Sequence, residues 1–139
     1  MIDSHCHLEM FGEEIPEVLK NAQEAGVSIV VTIGSDIESI DKTIEITEQY
    51  PMVYATVGIH PHDAKELNTD VLKKLFELSR HPKVVGIGEI GLDYHYEHSP
   101  KEVQREAFAL QLKLARDIGL AVVIHSREAF DDTIKILKE

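Results

Sequence analysis

A single cysteine, Cys6, stands among the 139 residues. No disulfide can form within the chain, and a cysteine-built zinc finger is excluded. One free thiol fits a reducing compartment, and a cytoplasmic location is expected. The start, MIDSHCHLEM, has no early basic cluster and no apolar core, so a secretory leader is not expected. No apolar run approaches the roughly 20 residues that span a bilayer, so no membrane association is expected. With 5 prolines and 8 glycines, the chain is neither disordered nor fibrous in composition. Basic residues are also scarce: 14 Lys and Arg stand against 25 Asp and Glu, a net charge of −11 with histidine neutral. Such a chain does not hold polyanions on a broad basic surface. Any action on nucleic acid or phosphate esters must rely on local contacts, for which bound metal cations supply positive charge.

What is present is an alternation of short apolar runs with helical patterns. The runs are Ile2 with its neighbours, VSIVVTI from Val27, MVYATVGI from Met52, VVGIGEI from Val84 and AVVIH from Ala121. Continuous, β-branched-rich runs suit strands buried on both faces of a parallel sheet. The segments between them carry helix-end signals. Pro16 opens Ile15 to Ala25, and Gly26 follows it. Ser35 with Glu38, and Ser99 with Glu102, read as capping boxes, and Gly119 reads as a C′ glycine. The fold class is α/β, with about five β-α modules and right-handed crossovers. Eight modules at this spacing need about 250 residues, the usual size of a (β/α)₈ barrel. The expectation is therefore a single domain over residues 1–139 that forms part of a TIM barrel. An open doubly wound sheet is the rival.

The chemically capable residues are not scattered. His5 and His7 follow the first run, and His60 and His62 the third. Glu89 and Asp93 end the fourth, while His125, Ser126 and Arg127 end the fifth. In a parallel sheet those ends share one face, where ligands bind. H-x-H on a strand puts both imidazoles on one side and Cys6 on the other. Asp3 can orient one of them or simply accept backbone N–H groups. Glu89 within an apolar run needs a partner, a proton or a metal. Arg127 suits a phosphate, or else pairs with Asp131 or Glu128. His81 and His98 read as solvated loop histidines, and His95 stands close enough in sequence to approach the site after Asp93. Imidazole and carboxylate ligands without a thiolate cluster point to Zn²⁺, Mn²⁺, Fe²⁺, Co²⁺ or Mg²⁺. No G-x-S-x-G is present to support a serine hydrolase.

Four blocks, DSHCHL, VGIHPH (Val57 to His62), GEIGLDY (Gly88 to Tyr94) and VIHSR (Val123 to Arg127), resemble the TatD-type metal-dependent deoxyribonucleases of the amidohydrolase superfamily. The resemblance runs the whole chain but covers only about the first half of the family pattern. It implies a (β/α)₈ barrel with two divalent metal ions that hydrolyses phosphodiester bonds of DNA. By the resemblance, His5 and His7 bind one metal, Glu89 bridges both and His125 binds the second. Glu89 and His60 act in catalysis, and His60, His62, Asp93 and Arg127 contact substrate. A bridging water attacks phosphorus. The family's sixth-strand histidine and eighth-strand aspartate have no counterpart here, so weak or absent activity is expected. Exposed edges at the first and fifth strands lead to the expectation of a homo-oligomer or a complementary C-terminal half. The alternatives are a non-catalytic half-barrel that oligomerises and an amidohydrolase acting on an amide or lactone.

Overall fold

The computed structural model describes residues 1–138. The apolar runs become five strands: β1 (Ile2–Cys6), β2 (Ile29–Gly34), β3 (Val53–Val57), β4 (Val84–Asp93) and β5 (Ala121–Arg127). They lie side by side in chain order, β1-β2-β3-β4-β5, and every neighbouring pair is parallel. A doubly wound sheet reverses its strand order at a switch point, and this sheet never reverses. The sequential order is that of a barrel wall, so the five strands form a half-barrel.

Helices α1 (Ile15–Glu24), α2 (Ile37–Gln49), α3 (Thr69–Leu78), α4 (Lys101–Ile118) and α5 (Phe130–Leu137) alternate with the strands. Two 3₁₀ stretches, Leu8–Glu14 and Pro61–Glu66, follow β1 and β3. Gly119 ends α4 with φ 72°, as its place in the sequence required. Two capping expectations are corrected. The N-cap of α2 is Asp36, not Ser35: its carboxylate accepts the N–H groups of Glu38 and Ser39, and Ser39 Oγ accepts the Asp36 N–H. A carboxylate one residue nearer the helix outcompetes the serine. Ser99 caps nothing; its hydroxyl donates to the His62 carbonyl and accepts from the Lys65 N–H, tying the loop after β3 to the start of α4.

The core follows from the burial of the central strands. Ala55, Val57, Ile87, Ile90 and Leu92 are fully buried, and Leu75 and Phe108 pack with them from α3 and α4, while the buried Val53 packs with Leu8, Leu19 and Ile46. Helix α4 carries two glutamines on its buried stripe, seven residues apart, and each clamps the end of a strand. Gln111 accepts the Ile59 N–H at 2.8 Å and donates to the Ile59 carbonyl at 3.1 Å. Gln104 does the same for Asp93, at 2.8 and 2.9 Å. The chain is thereby pinned one residue before His60 and at Asp93 itself. Gln111→Ala leaves two peptide groups of Ile59 buried without partners, so a loss of about 2–6 kcal/mol is expected from the usual 1–3 kcal/mol per orphaned group. Urea unfolding measures it, and a change below about 0.5 kcal/mol would mean the clamp contributes nothing.

The outer strands differ from the inner ones. β1 is mostly exposed, and β5 is exposed or half-buried, because each pairs on one side only. Their free edges are the two edges of the sheet.

Candidate metal centre

Parallel strands deliver their C-terminal ends to one face, and the histidines and carboxylates arrive there together. His5 near the end of β1 and His7 just beyond it lie with ring centroids 5.4 Å apart. Glu89, on β4, turns one oxygen to each side. Its Oε2 lies 3.4 Å from His5 Nε2, and its Oε1 lies 3.1 Å from His125 Nδ1 on β5. The His60 ring packs 4.4 Å from that of His125 and 4.3 Å from that of His62. Gly91 beside Glu89 keeps β5 close. In register with His125, it has no room for a Cβ against the His125 carbonyl.

Asp93 organises the far side of this cluster. It is fully buried. Its Oδ2 accepts from His62 Nε2 at 3.0 Å and His125 Nε2 at 2.9 Å. Its Oδ1 accepts the backbone N–H groups of His95 at 3.0 Å and Tyr96 at 2.9 Å. Burial works to raise the Asp93 pKa, but these four donors outweigh it and hold the carboxyl well below the usual range. Both oxygens of Asp93 are thus occupied by donors from the protein itself.

The remaining electrostatics follow from the same contacts. The His125–Glu89 hydrogen bond raises the histidine above the ordinary imidazole value and lowers the glutamate below the ordinary carboxylate value. Burial, with His125 and His62 beside it, pushes His60 down to about 4. His60 is therefore a neutral imidazole at neutral pH. Its Nδ1 accepts the His62 N–H at 3.2 Å, which leaves the proton on Nε2. His7 is raised chiefly by Glu9, whose Oε1 lies 3.5 Å from its Nδ1.

The donor set fits divalent cations. His5, His7 and Glu89 each offer a ligand atom, all within 4.8 Å of one another, and so do His60, Glu89 and His125. The geometry carries a further requirement. With Asp93 taking the Nε2–H of His125, a neutral His125 presents its Nδ1 lone pair to Glu89 Oε1 at 3.1 Å. Two acceptors at that distance repel unless a proton or a cation lies between them. Cys6 is not a donor: burial first, then the charges of Asp3 and Glu9, push its thiol up to about 12, and its Sγ faces the Val31 carbonyl.

Other sequence expectations sort themselves by contact. Asp3 accepts the backbone N–H of His5 and orients no imidazole. Arg127 forms no ion pair among the described residues; its guanidinium lies 4.6 Å over the Tyr96 ring. His95 bonds Glu128 at 2.8 Å. His98, read as a solvated loop residue, is exposed but packs 4.6 Å from the His62 ring, so it borders the site. The sequence assigned no role to Glu9, Tyr96, Gln104 or Gln111. The glutamines did carry a signal: polar residues at 104 and 111 fall on the same helical stripe as Ala107, Phe108 and Ala115.

A parallel β/α half-barrel that gathers histidines and carboxylates at the C-terminal ends of its strands belongs with the TIM-barrel proteins. More narrowly, the chain belongs to the TatD related DNase family, whose sequence profile matches residues 2–139. It is 41% identical over its whole length to the uncharacterized metal-dependent hydrolase YabD of Bacillus subtilis, covering 55% of that protein. Against the 3′-5′ ssDNA/RNA exonuclease TatD of Erwinia tasmaniensis it is 37% identical, over 92% of this chain and 50% of that one. The crystal structure of YJJV, a TatD homolog from Escherichia coli K12, superposes with a TM-score of 0.88 at 33% identity, over 99% of this chain and 55% of that one. The chain spans about half the length of the curated relatives it matches.

Proposed function

We propose that the chain carries the cation-binding side of a metal-dependent phosphodiesterase acting on DNA or a similar single-stranded nucleic acid. The observation that supports this most is the meeting of His5, His7, Glu89, His60 and His125 at one end of the sheet. The name of the Erwinia relative supports the substrate class. In this reading His5 and His7 hold one cation, His125 holds a second and Glu89 is shared by both. When bound, such cations polarise phosphoryl oxygens and lower the pKa of water. The chain's own residues do the rest. Glu89 stays ionised and accepts a hydrogen bond from the attacking water. His60 is neutral, with its proton on Nε2, and donates to a phosphate oxygen. His62, held by Asp93, flanks the scissile group, and Arg127 beside Tyr96 meets a neighbouring phosphate.

The assay pairs a single-stranded oligonucleotide with Mg²⁺ or Mn²⁺. The expected result is EDTA-sensitive cleavage at least 10–100-fold slower than that of a full-length relative, the loss usual when even the support of a metal ligand is removed. Preference for a lactone or amide over a phosphodiester would overturn the substrate assignment.

The open edges of β1 and β5 support a second reading, in which the chain associates through them with another copy or with a complementary half-barrel. Light scattering on the assay samples tests it. Metal binding without turnover, in a particle of twice the chain mass or more, would favour this reading.

A further inference from the structure

We infer that Asp93 is a positioning residue: one buried carboxylate oxygen holds both His62 and His125 in the Nε2–H form, and so aims Nδ1 of His125 at the cation position beside Glu89. The inference rests on the metal reading above for what His125 does. The positioning itself rests only on contacts within the chain.

A carboxylate accepts hydrogen bonds and donates none, so each ring nitrogen that touches it must carry a proton. Asp93 Oδ2 touches Nε2 of both histidines. The carboxylate cannot swing away to change this. Its Oδ1 is held by two backbone N–H groups, and its own peptide N–H and carbonyl are clamped by Gln104. The tautomers of two imidazoles are thus set by one rigid group. The two histidines play different parts: His125 faces Glu89, while His62 packs against His60 and His98 on the substrate side. A shift at Asp93 therefore reaches both sides of the site at once. Support of a ligating histidine by a carboxylate on its other nitrogen is a general device for fixing ring orientation. Here the same oxygen serves a second ring as well.

Asp93→Asn tests this sharply. The backbone N–H groups of His95 and Tyr96 are fixed donors, so the amide must turn its oxygen to them and its NH₂ to the imidazoles. Both Nε2 atoms then become acceptors, the ring protons move to Nδ1, and His125 loses the lone pair that faces Glu89. Long-range ¹H–¹⁵N spectra of the metal-free protein, taken above the imidazole titration range, read the tautomers directly. His62→Gln and His125→Gln assign the signals.

The expected result is Nε2–H for both rings in the native chain and Nδ1–H for both in Asp93→Asn, with Zn²⁺ affinity by calorimetry falling about 10–100-fold. A purely structural role would lower the melting temperature and leave the tautomers of the folded protein unchanged, which would overturn the inference. If Asp93→Asn does not fold, the native spectrum decides alone: Nδ1–H on either histidine contradicts the assignment. A native chain that binds no Zn²⁺ would defeat the metal reading, while the tautomers would still judge Asp93.

Discussion

Glu89→Gln is expected to cost about 100-fold or more in divalent-cation affinity while leaving the fold in place. Removing a group that merely supports a ligand already costs about 10–100-fold. Glu89 is the one carboxylate common to both donor sets, facing His5 with one oxygen and His125 with the other. Glutamine keeps the shape but offers a single neutral oxygen, so at most one set keeps an oxygen donor beside its two imidazoles and neither keeps the charge. The side chain is 12% exposed and faces the histidines rather than the apolar core, so neutralising its charge does not open the core. Calorimetric titration with Zn²⁺ or Mn²⁺ reads the affinity, and circular dichroism checks the fold. Native affinity in a folded Glu89→Gln would place the cations elsewhere.

The second large effect is on stability. Gly91→Val should detach β5 from β4 and cost more than about 4 kcal/mol, beyond the range of ordinary substitutions. Two constraints act at this residue. Its φ is 139°, a conformation that L side chains rarely adopt, and a Cβ would run into the backbone carbonyl of His125. A flexible side chain can move aside, but a strand backbone in a parallel ladder cannot without breaking its register. Gly119 supplies the comparison. It also has a positive φ, but nothing lies within 4 Å of an added Cβ, so Gly119→Ala should cost only the conformational strain of about 1–2 kcal/mol. Equilibrium urea unfolding separates the two. Equal losses at both positions would show that close packing of β4 on β5 does not matter.

The inner strands were legible because burial leaves a continuous apolar run, and β5 carries the same pattern although it is exposed or half-buried. β2, β3 and β5 fall within about two residues of their runs, while β4 extends three residues past Ile90, to Asp93. The convergence of His5, Glu89 and His125 was legible for the same reason, since parallel strands place their carboxyl ends on one face. Partner choice among close rivals was not. Asp36 and Ser35 both suit an N-cap, and only the loop geometry decides between them. Asp93 and Glu89 stand four residues apart on one strand, and nothing in spacing says that one is buried beneath His62 and His125 while the other lies between His5 and His125. The roles of Gln104 and Gln111 were not legible, because a polar residue on a buried stripe does not name its partner. It becomes a clamp only once the strand end it grips is known.

Anomalous diffraction at the zinc edge, from crystals of the chain grown with Zn²⁺, tests the central claim most directly. The account predicts a peak within about 2.0–2.2 Å of His5, His7 and Glu89, the usual zinc–nitrogen and zinc–oxygen range. It predicts a second peak between Glu89 and Nδ1 of His125. Zinc found only at other surface carboxylates, with His125 still bonded directly to Glu89, would contradict it.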